Sequence, residues 1–324
     1  MAQAIMLREH GGPEVLRLEE TEVGEPGPGE VRIRQSAIGV NFHDCYVRSG
    51  LYQTLKLPGV PGLEGVGRVT AIGPGVSNIR VGERAAYFTA NYGAYASERI
   101  IPEDLVLRVP DAVDDGLAAA VLLKGLTASM LVHQVHSIGP GDTVLVHAAA
   151  GGVGLLLCQW ANHLGATVIG TAGSAAKVAQ AKAAGCHEAI NYSQENFVER
   201  VKEITGGKGV TVAYDSVGKD TFYGSMECLA DRGHLVNFGQ SSGPIDPMPV
   251  SLLSKGSYTL SRPMLFHYTA ERTQLVQAAE GLFSALSSGV LRMDSPRSWP
   301  LAQAADAHRA LEARETMGAV ILTA

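Results

Sequence analysis

The chain has 324 residues, of which 46% are hydrophobic, and its formal net charge is −6. This length exceeds one ordinary hydrophobic core and suits two domains. The acidic balance and the lack of a polybasic run make nucleic acid an unlikely partner and argue against an anionic-membrane surface, and the 38 glycines are scattered without a collagen-like period.

The N-terminus and the cysteines indicate a cytoplasmic protein. The first ten residues contain no basic segment followed by an apolar one, so we expect no signal peptide. No apolar run approaches the ~20 residues of a membrane helix, so we expect no membrane partner. Cysteines stand isolated at Cys45, Cys158, Cys186 and Cys228, without the spacing of a zinc knuckle, and such usage fits a reducing compartment.

The first third of the chain has the pattern of short antiparallel strands. Apolar and polar residues alternate over Val31–Ile38, which indicates a strand with one wet face. Turn residues rich in Gly and Pro recur at 11–13, 26–29, 73–75 and 81–83. Short strands between regular turns predict a barrel-like antiparallel domain.

The pattern changes near Asp114. Residues 116–135 are helical in composition, and strand-like runs then alternate with helical ones. The predicted strands are 143–147, 167–171, 210–215 and 234–238, and the predicted helices are 153–164, 175–184, 196–205 and 221–229. Repeated strand-helix units predict an α/β fold with a doubly wound parallel sheet.

The C-terminal tail combines one long helix with one short strand. An amphipathic helix is predicted around residues 271–287, and the apolar segment 318–322 is predicted to be a strand that returns to the first domain.

A glycine-rich turn follows the first strand of the α/β region. Residues 149–154 read A-A-G-G-V-G, which is the G-x-G-x-x-G dinucleotide fingerprint with Ala149 in place of the first glycine. Gly151 allows close approach of a pyrophosphate, Gly154 allows tight helix packing, and the helix N-terminus attracts the phosphates. The alternative is an ordinary strand-turn-helix junction rich in small residues.

The loop after the second strand indicates which dinucleotide binds. NAD enzymes usually place Asp or Glu about 20 residues past the first glycine, but residues 171–177 hold no acid. Gly173 leaves room there, Ser174 can donate a hydrogen bond, and Lys177 brings a positive charge. This loop suits a 2′-phosphate and predicts NADPH, although Lys177 can also be explained as a solvated lysine at a helix start.

Further motifs resemble the quinone oxidoreductase branch of the medium-chain dehydrogenase/reductase superfamily, the branch that includes zeta-crystallin. These motifs are G-G-P-E-V-L at 11–16, A-I-G-V-N-F-H-D-C-Y at 37–46, R-S-G-L-Y at 48–52, P-G-L-E-G-V-G at 61–67, L-K-G-L-T-A at 123–128, H-A-A-A-G-G-V-G at 147–154, Y-D-S-V-G at 214–218, N-F-G-Q-S-S-G at 237–243 and S-R-P at 261–263. They cover the whole chain.

The resemblance implies an α/β fold in which a Rossmann doubly wound parallel-sheet domain is inserted into a GroES-like β-barrel catalytic domain. We expect the catalytic domain at residues 1–123, the NADPH-binding domain at 124–261, and a return to the catalytic domain at 262–324. The cofactor is expected in the cleft between the two domains.

The resemblance also assigns cofactor contacts, whereas the residues themselves indicate only the glycine turn and the loop 173–177. The contacts it implies are Asn41, Phe42, His43, Asp44, Cys45, Tyr46, Thr127, Gly152, Val153, Gly173, Ser174, Lys177, Tyr192, Ser216, Phe238, Gly239, Ser241, Ser242, Arg262 and Arg314. Arg314 is expected to share the 2′-phosphate with Lys177.

The same comparison predicts a site without metal. Zinc-containing members of the superfamily carry Gly-His-Glu where this chain has Gly62, Leu63 and Glu64, and their first cysteine ligand corresponds roughly to Asn41. Leucine cannot coordinate a metal, and His43 and Asp44 alone do not make a site.

The absence of a Lewis acid bears on the substrate. Zinc normally polarises a carbonyl or stabilises an alkoxide, whereas hydride addition to a quinone is favoured by the aromatic phenolate that forms. We therefore predict NADPH-dependent quinone reduction in which the protein mainly orients the nicotinamide.

Four side chains are predicted to act in the substrate pocket: Asn41, Asp44, Tyr46 and Tyr52. Asn41 can hydrogen-bond the substrate or the cofactor, and each tyrosine can stack on a flat ring, donate a hydroxyl, or simply pack. His43 and His147 are interpreted as structural.

Two other functions stay open. The scaffold also serves zinc-free enoyl or enone reductases, and a non-catalytic, crystallin-like NADPH-binding protein belongs to the same branch. The resemblance further implies a homodimer formed by the edge strand near residues 250–261.

Overall fold

Residues 1–324, all described by this computed structural model, divide into two units. The first unit comprises Met1–Lys124, Thr269–Ser287 and Met293–Ala324. The second comprises Gly125–Tyr268 and Ser288–Arg292. The chain therefore leaves the first unit after residue 124 and returns after residue 268, whereas the sequence placed these points after 123 and 261.

The elements are given in chain order. The strands are β1 (Ala2–Leu7), β2 (Leu16–Thr21), β3 (Glu30–Val40), β4 (Glu64–Ile72), β5 (Arg84–Phe88), β6 (Glu98–Pro102), β7 (Val106–Arg108), β8 (Thr143–Val146), β9 (Thr167–Ala172), β10 (Glu188–Asn191), β11 (Val210–Asp215), β12 (Leu229–Asn237), β13 (Thr259–Ser261), β14 (Arg297–Pro300) and β15 (Val320–Thr323). The helices are α1 (Phe42–Ser49), α2 (Asp115–Met130), α3 (Gly152–His163), α4 (Ala175–Ala183), α5 (Phe197–Ile204), α6 (Phe222–Glu227), α7 (Leu265–Tyr268), α8 (Arg272–Ser287) and α9 (Ala304–Glu312).

The first unit is built around a seven-stranded sheet, ordered β14-β15-β3-β4-β5-β7, with β6 also paired to β3. In β3 the side chains of Val31 and Ile33 are buried while Arg34 is exposed, as the alternation of apolar and polar residues predicts. The C-terminal strand β15 pairs antiparallel with β3, with Val320 opposite Val40. This pairing confirms that the end of the chain returns to the first domain.

The second unit contains a six-stranded parallel sheet, ordered β10-β9-β8-β11-β12-β13. Numbered from β8, this is the order 3-2-1-4-5-6 of doubly wound dinucleotide-binding sheets. The direction of winding reverses between β8 and β11, so the carboxyl ends of these two strands mark the place where such sheets bind ligands. The Rossmann prediction is confirmed.

Three local predictions were wrong. The first half of the segment predicted as an edge strand is a 3₁₀-helix, Val250–Lys255, which contains a 2.7 Å hydrogen bond from the Ser254 hydroxyl to the Ser251 carbonyl. The predicted helix 221–229 ends early because Val210 N–H bonds the Cys228 carbonyl at 2.8 Å and draws the chain beside β11.

The third wrong prediction was that no apolar segment approaches the length of a membrane helix. Residues Asp115–Val135, including a π-helical last turn, form one apolar helix of 21 residues, which is long enough to span a membrane. However, 78% of its most apolar stretch is buried inside the protein, which is typical of a core helix.

Candidate active site

The turn between β8 and α3 has the geometry of a phosphate-binding loop. Gly151 is the N-cap of α3, and neither a capping side chain nor an acidic residue occupies the first helical turn, where Gly152 and Val153 lie. The N–H groups of that turn therefore offer the positive end of the helix dipole to an anion without a competing side chain. A Cβ on Gly154 would lie 2.2 Å from the Ala148 carbonyl oxygen, so glycine allows α3 to approach the end of β8.

The loop after β9 brings together four predicted residues. Ser174 is the N-cap of α4, and its hydroxyl accepts a hydrogen bond from the Lys177 backbone N–H at 3.4 Å. The hydroxyl hydrogen can still be donated to an acceptor. A Cβ on Gly173 would lie 2.5 Å from the Tyr192 hydroxyl, so the missing side chain makes room for that ring. The loop contains no carboxylate that would repel a phosphate.

The loops after β11 and β12 hold the next predicted set. These residues are Ser216, Phe238, Gly239, Ser241 and Ser242. Ser241 N–H donates to the Ser216 carbonyl at 3.2 Å, and a Cβ on Gly239 would lie 2.6 Å from the same oxygen. Arg262 donates to the Gly239 carbonyl at 2.9 Å. Arg262 thus holds one of these loops at the carboxyl edge of the sheet.

A buried polar network lies behind this edge. His147 Nδ1 is 2.9 Å from the Thr171 hydroxyl, and Nε2 is 2.8 Å from the Ser225 hydroxyl. Burial lowers the pKa of His147, so the ring is neutral at pH 7. Asp215 accepts the Thr221 hydroxyl at 2.8 Å. These contacts support the interpretation of His147 as structural.

In the first unit, α1 carries most of the remaining predicted residues, and its rings join an aromatic cluster formed by Phe42, His43, Tyr46, Tyr52 and Tyr92. The Tyr46 and Tyr52 ring centroids are 5.1 Å apart, and those of His43 and Tyr52 are 5.2 Å apart. His43 Nε2 lies 3.0 Å from the Tyr92 hydroxyl. Burial lowers the pKa of His43 to about 4, so this imidazole is neutral at pH 7. Tyr92 is buried, and the other four rings are half-buried and suit a flat, neutral ligand.

Two of the predicted residues on α1, Asp44 and Cys45, are buried. Asp44 has no exposed surface, and its Oδ2 accepts Asn41 N–H at 2.8 Å and the Tyr95 hydroxyl at 3.2 Å. Burial raises the pKa of this carboxyl to about 7. The Cys45 sulfur is also buried and lies 3.5 Å from His308 Nδ1. Both side chains are enclosed by the core of the first unit, so their contacts in this structure are with the protein itself.

Two further predicted contacts lie outside these groups. Thr127 is half-buried on α2, in the second unit. Arg314 is exposed in the first unit and follows α9 in the left-handed conformation, with φ 58°. Its N–H bonds the Leu311 carbonyl at 3.1 Å, which ends the helix.

Sequence reasoning missed a buried ion pair beside Asn41. The side chains of Glu64 and Lys124 are 0% and 7% exposed, and their charged atoms are 3.3 Å apart. Both residues stand in motifs quoted above, but their sequence separation of 60 residues concealed the contact. No group of three or more His, Cys, Asp or Glu side chains in residues 1–324 is arranged to hold a metal ion, and Leu63 packs in the core.

A dinucleotide-binding sheet inserted into a largely antiparallel β unit defines the class of medium-chain NAD(P)-dependent oxidoreductases. Residues 27–111 match the family model of the alcohol dehydrogenase GroES-like domain, and residues 152–280 match that of the zinc-binding dehydrogenases.

Comparison with similar proteins identifies the family within this class. The chain is 46% identical to a quinone oxidoreductase of Pseudomonas aeruginosa and 45% identical to a 2-haloacrylate reductase of Burkholderia, each comparison covering 99% of both chains. The crystal structure of Escherichia coli quinone oxidoreductase complexed with NADPH superposes with a TM-score of 0.97 at 44% identity, over 99% of this chain and 100% of that one. The chain belongs to the quinone oxidoreductase family of medium-chain dehydrogenases/reductases.

Proposed function

We propose that this protein is an NADPH-dependent quinone reductase that works without a metal. The observation that carries the proposal is the uncapped first turn of α3, which lies beside the acid-free loop of Gly173, Ser174 and Lys177 at the carboxyl edge of the sheet. The first feature suits a pyrophosphate and the second suits a 2′-phosphate. The NADPH bound to the Escherichia coli relative supports the same cofactor.

The residues of the chain have separate tasks in this proposal. The first turn of α3 binds the pyrophosphate, and Lys177 neutralises the 2′-phosphate by a charge-assisted hydrogen bond. When bound, NADPH supplies the hydride. The aromatic cluster offers rings on which a flat quinone stacks, because offset aromatic contacts need no charge. Asn41, at the N-cap of α1, provides the polar contact of this site.

A second substrate class is favoured by one specific relative. The Burkholderia protein acts on a 2-haloacrylate, which is an activated C=C bond rather than a quinone. An enone resembles a quinone in that both present a conjugated C=C–C=O group to a hydride donor. We therefore propose enone reduction as the alternative activity of the same site.

A screen of NADPH oxidation against quinones, enones and 2-haloacrylates tests both proposals. Quinone-dependent oxidation with no turnover of the other acceptors supports the first, and the reverse pattern supports the second. Tight NADPH binding without turnover of any acceptor would support a non-catalytic role and overturn both.

We also propose that the protein is a cytoplasmic homodimer. The strand β13 ends the parallel sheet, and Leu260 on that strand and Val250 before it are 37% and 78% exposed. An uncovered sheet edge with apolar side chains is favourable for pairing with a second copy. All four cysteines are free and buried, which fits a reducing compartment. Light scattering at micromolar concentration tests the dimer, and a monomer mass would refute it.

A further inference from the structure

Two of the four free cysteines, Cys158 and Cys186, are in contact with each other inside the second unit. Cys158 lies on α3, and Cys186 lies in the short segment between α4 and β10. Their sulfur atoms are 3.3 Å apart. The sulfurs of a disulfide are about 2.05 Å apart, so an approach of about 1 Å would join them.

The chain is held firmly on both sides of this contact. Cys186 N–H donates to the Ala181 carbonyl of α4 at 3.1 Å, and His187 N–H donates to the Val168 carbonyl of β9 at 2.9 Å. Cys158 is fixed by its helix and has no exposed surface. Protein interiors are packed as densely as organic crystals, so sulfur atoms that are drawn together must move the chain that carries them.

The pair lies directly behind the phosphate-binding turn. A Cβ on Gly170 of β9 would lie 2.6 Å from the Cys186 sulfur and 2.8 Å from Cβ of Ala149, so this sulfur and the turn meet at the same point of the strand. Cys158 follows Gly152, the first residue of α3, by six positions, which is less than two helical turns. Movement of either sulfur is therefore transmitted to the N-terminus of α3.

The two thiols differ in their access to an oxidant. Cys186 is 6% exposed, whereas Cys158 is not exposed at all. The contact with Cys186, together with burial, holds the pKa of the Cys158 thiol well above its usual range. Hydrogen peroxide is little larger than water, and it reaches Cys186 first.

A disulfide then forms in two balanced steps. The Cys186 sulfur attacks one oxygen of hydrogen peroxide and becomes a sulfenic acid, and the other oxygen leaves as water with the thiol proton. The Cys158 sulfur attacks the sulfenic sulfur, the S–S bond forms, and the hydroxyl leaves as a second water with the proton of Cys158. The two thiols lose two electrons, which reduce the peroxide to water.

We propose that Cys158 and Cys186 are a redox-sensitive pair whose disulfide, formed by hydrogen peroxide, pulls α3 toward the segment after α4 and weakens NADPH binding. The formation of the disulfide is independent of the proposed function, whereas its effect on NADPH rests on that function. In a reducing compartment the pair stays as two thiols, so the disulfide marks exposure to peroxide.

Treatment of the full-length protein with hydrogen peroxide tests this inference. After the peroxide is removed, thiols are counted by alkylation in denaturant, and linked peptides are mapped by mass spectrometry without reduction. We expect the loss of two of the four thiols and a peptide that joins Cys158 to Cys186. The NADPH dissociation constant, measured by fluorescence, should rise about tenfold because the N-terminus of α3 moves. Dithiothreitol should restore both the thiols and the affinity.

The control variants each remove one buried thiol from the same unit. Cys186→Ala leaves Cys158 without a partner, so peroxide should not change its NADPH dissociation constant. Cys228→Ala keeps the pair and should respond to peroxide as the wild type does, because Cys228 is fully buried elsewhere in the unit. If Cys186→Ala does not fold, Cys158→Ala removes the other half of the pair and should be equally insensitive.

Three results would overturn the inference. If both thiols stay reduced, the contact between the sulfurs is only packing. If the disulfide forms completely but NADPH binds as tightly as before, the bond does not move the phosphate-binding turn. If Cys186→Ala loses affinity after peroxide as the wild type does, another residue causes the effect. A reduced protein that binds no NADPH would instead refute the proposed function, and the effect on NADPH with it, while the disulfide would still form.

Discussion

The substitution Gly154→Ala tests the phosphate-binding turn with the smallest possible change. The new Cβ would lie 2.2 Å from the Ala148 carbonyl oxygen and 2.9 Å from Ala149 Cα. Both are backbone atoms and cannot rotate away. Because non-bonded heavy atoms settle about 3.5 Å apart, the N-terminus of α3 must move by about 1 Å.

That movement has two measurable consequences. Overpacking at such a site costs about 1–3 kcal/mol of unfolding free energy, measured by urea titration. The first-turn N–H groups move with the helix, and a misplacement of this size weakens NADPH binding by about tenfold to a hundredfold, measured by fluorescence titration of folded protein.

The control for this variant is Gly139→Ala in the same unit, since a Cβ there meets no atom within 4 Å. Its NADPH affinity should equal that of the wild type. A folded Gly154→Ala protein that binds NADPH with unchanged affinity would refute the assignment of the α3 N-terminus as the pyrophosphate site.

Substitutions at three other residues test separate parts of the account. Lys177→Ala should raise the NADPH dissociation constant by about tenfold to a hundredfold, because a charge-assisted hydrogen bond contributes roughly 1.5–3 kcal/mol. The dissociation constant of NADH should stay nearly unchanged. Equal losses of affinity for both cofactors would contradict this prediction. Tyr52→Ala should raise the KM for quinone while Tyr52→Phe keeps it near wild type, because the proposed stacking needs the ring and not the hydroxyl. A Phe variant as impaired as the Ala variant would exclude stacking. Burial lowers the pKa of His308 from 6.5 to about 3, so the unfolded chain takes up a proton that the folded protein excludes, and stability falls as the pH drops from about 6.5 toward 3. His308→Gln should flatten that fall in urea midpoints measured across the range, and an unchanged slope would show that His308 does not cause it.

Much of the fold follows from local patterns in the sequence. The alternation in β3, the glycine turn at 149–154 and the βα rhythm after Asp114 each depend on neighbouring residues. The structure confirms the parallel sheet and the return of β15 to the first unit. Motif resemblance added the residues at the carboxyl ends of β11 and β12, which no local pattern indicates.

The remaining features depend on contacts between distant residues. The sequence shows Asp44 as a polar residue on a short helix, but only the tertiary structure shows that Tyr95 and the core enclose it. The ion pair of Glu64 and Lys124 likewise joins β4 to α2. The edge strand was predicted too long because the largely apolar residues 250–253 also suit a 3₁₀-helix, and such a short run does not distinguish the two.

The central claim is that this chain transfers a hydride from NADPH to a quinone without a metal. The measurement that tests it most directly is the steady-state oxidation of NADPH and of NADH by chelator-treated protein with p-benzoquinone as acceptor. We expect quinone-dependent oxidation of NADPH that persists after chelation, with kcat/KM at least about tenfold above that for NADH. Three results would contradict the account: oxidation that stops after chelation, equal oxidation of the two cofactors, or a rate no higher than that without protein.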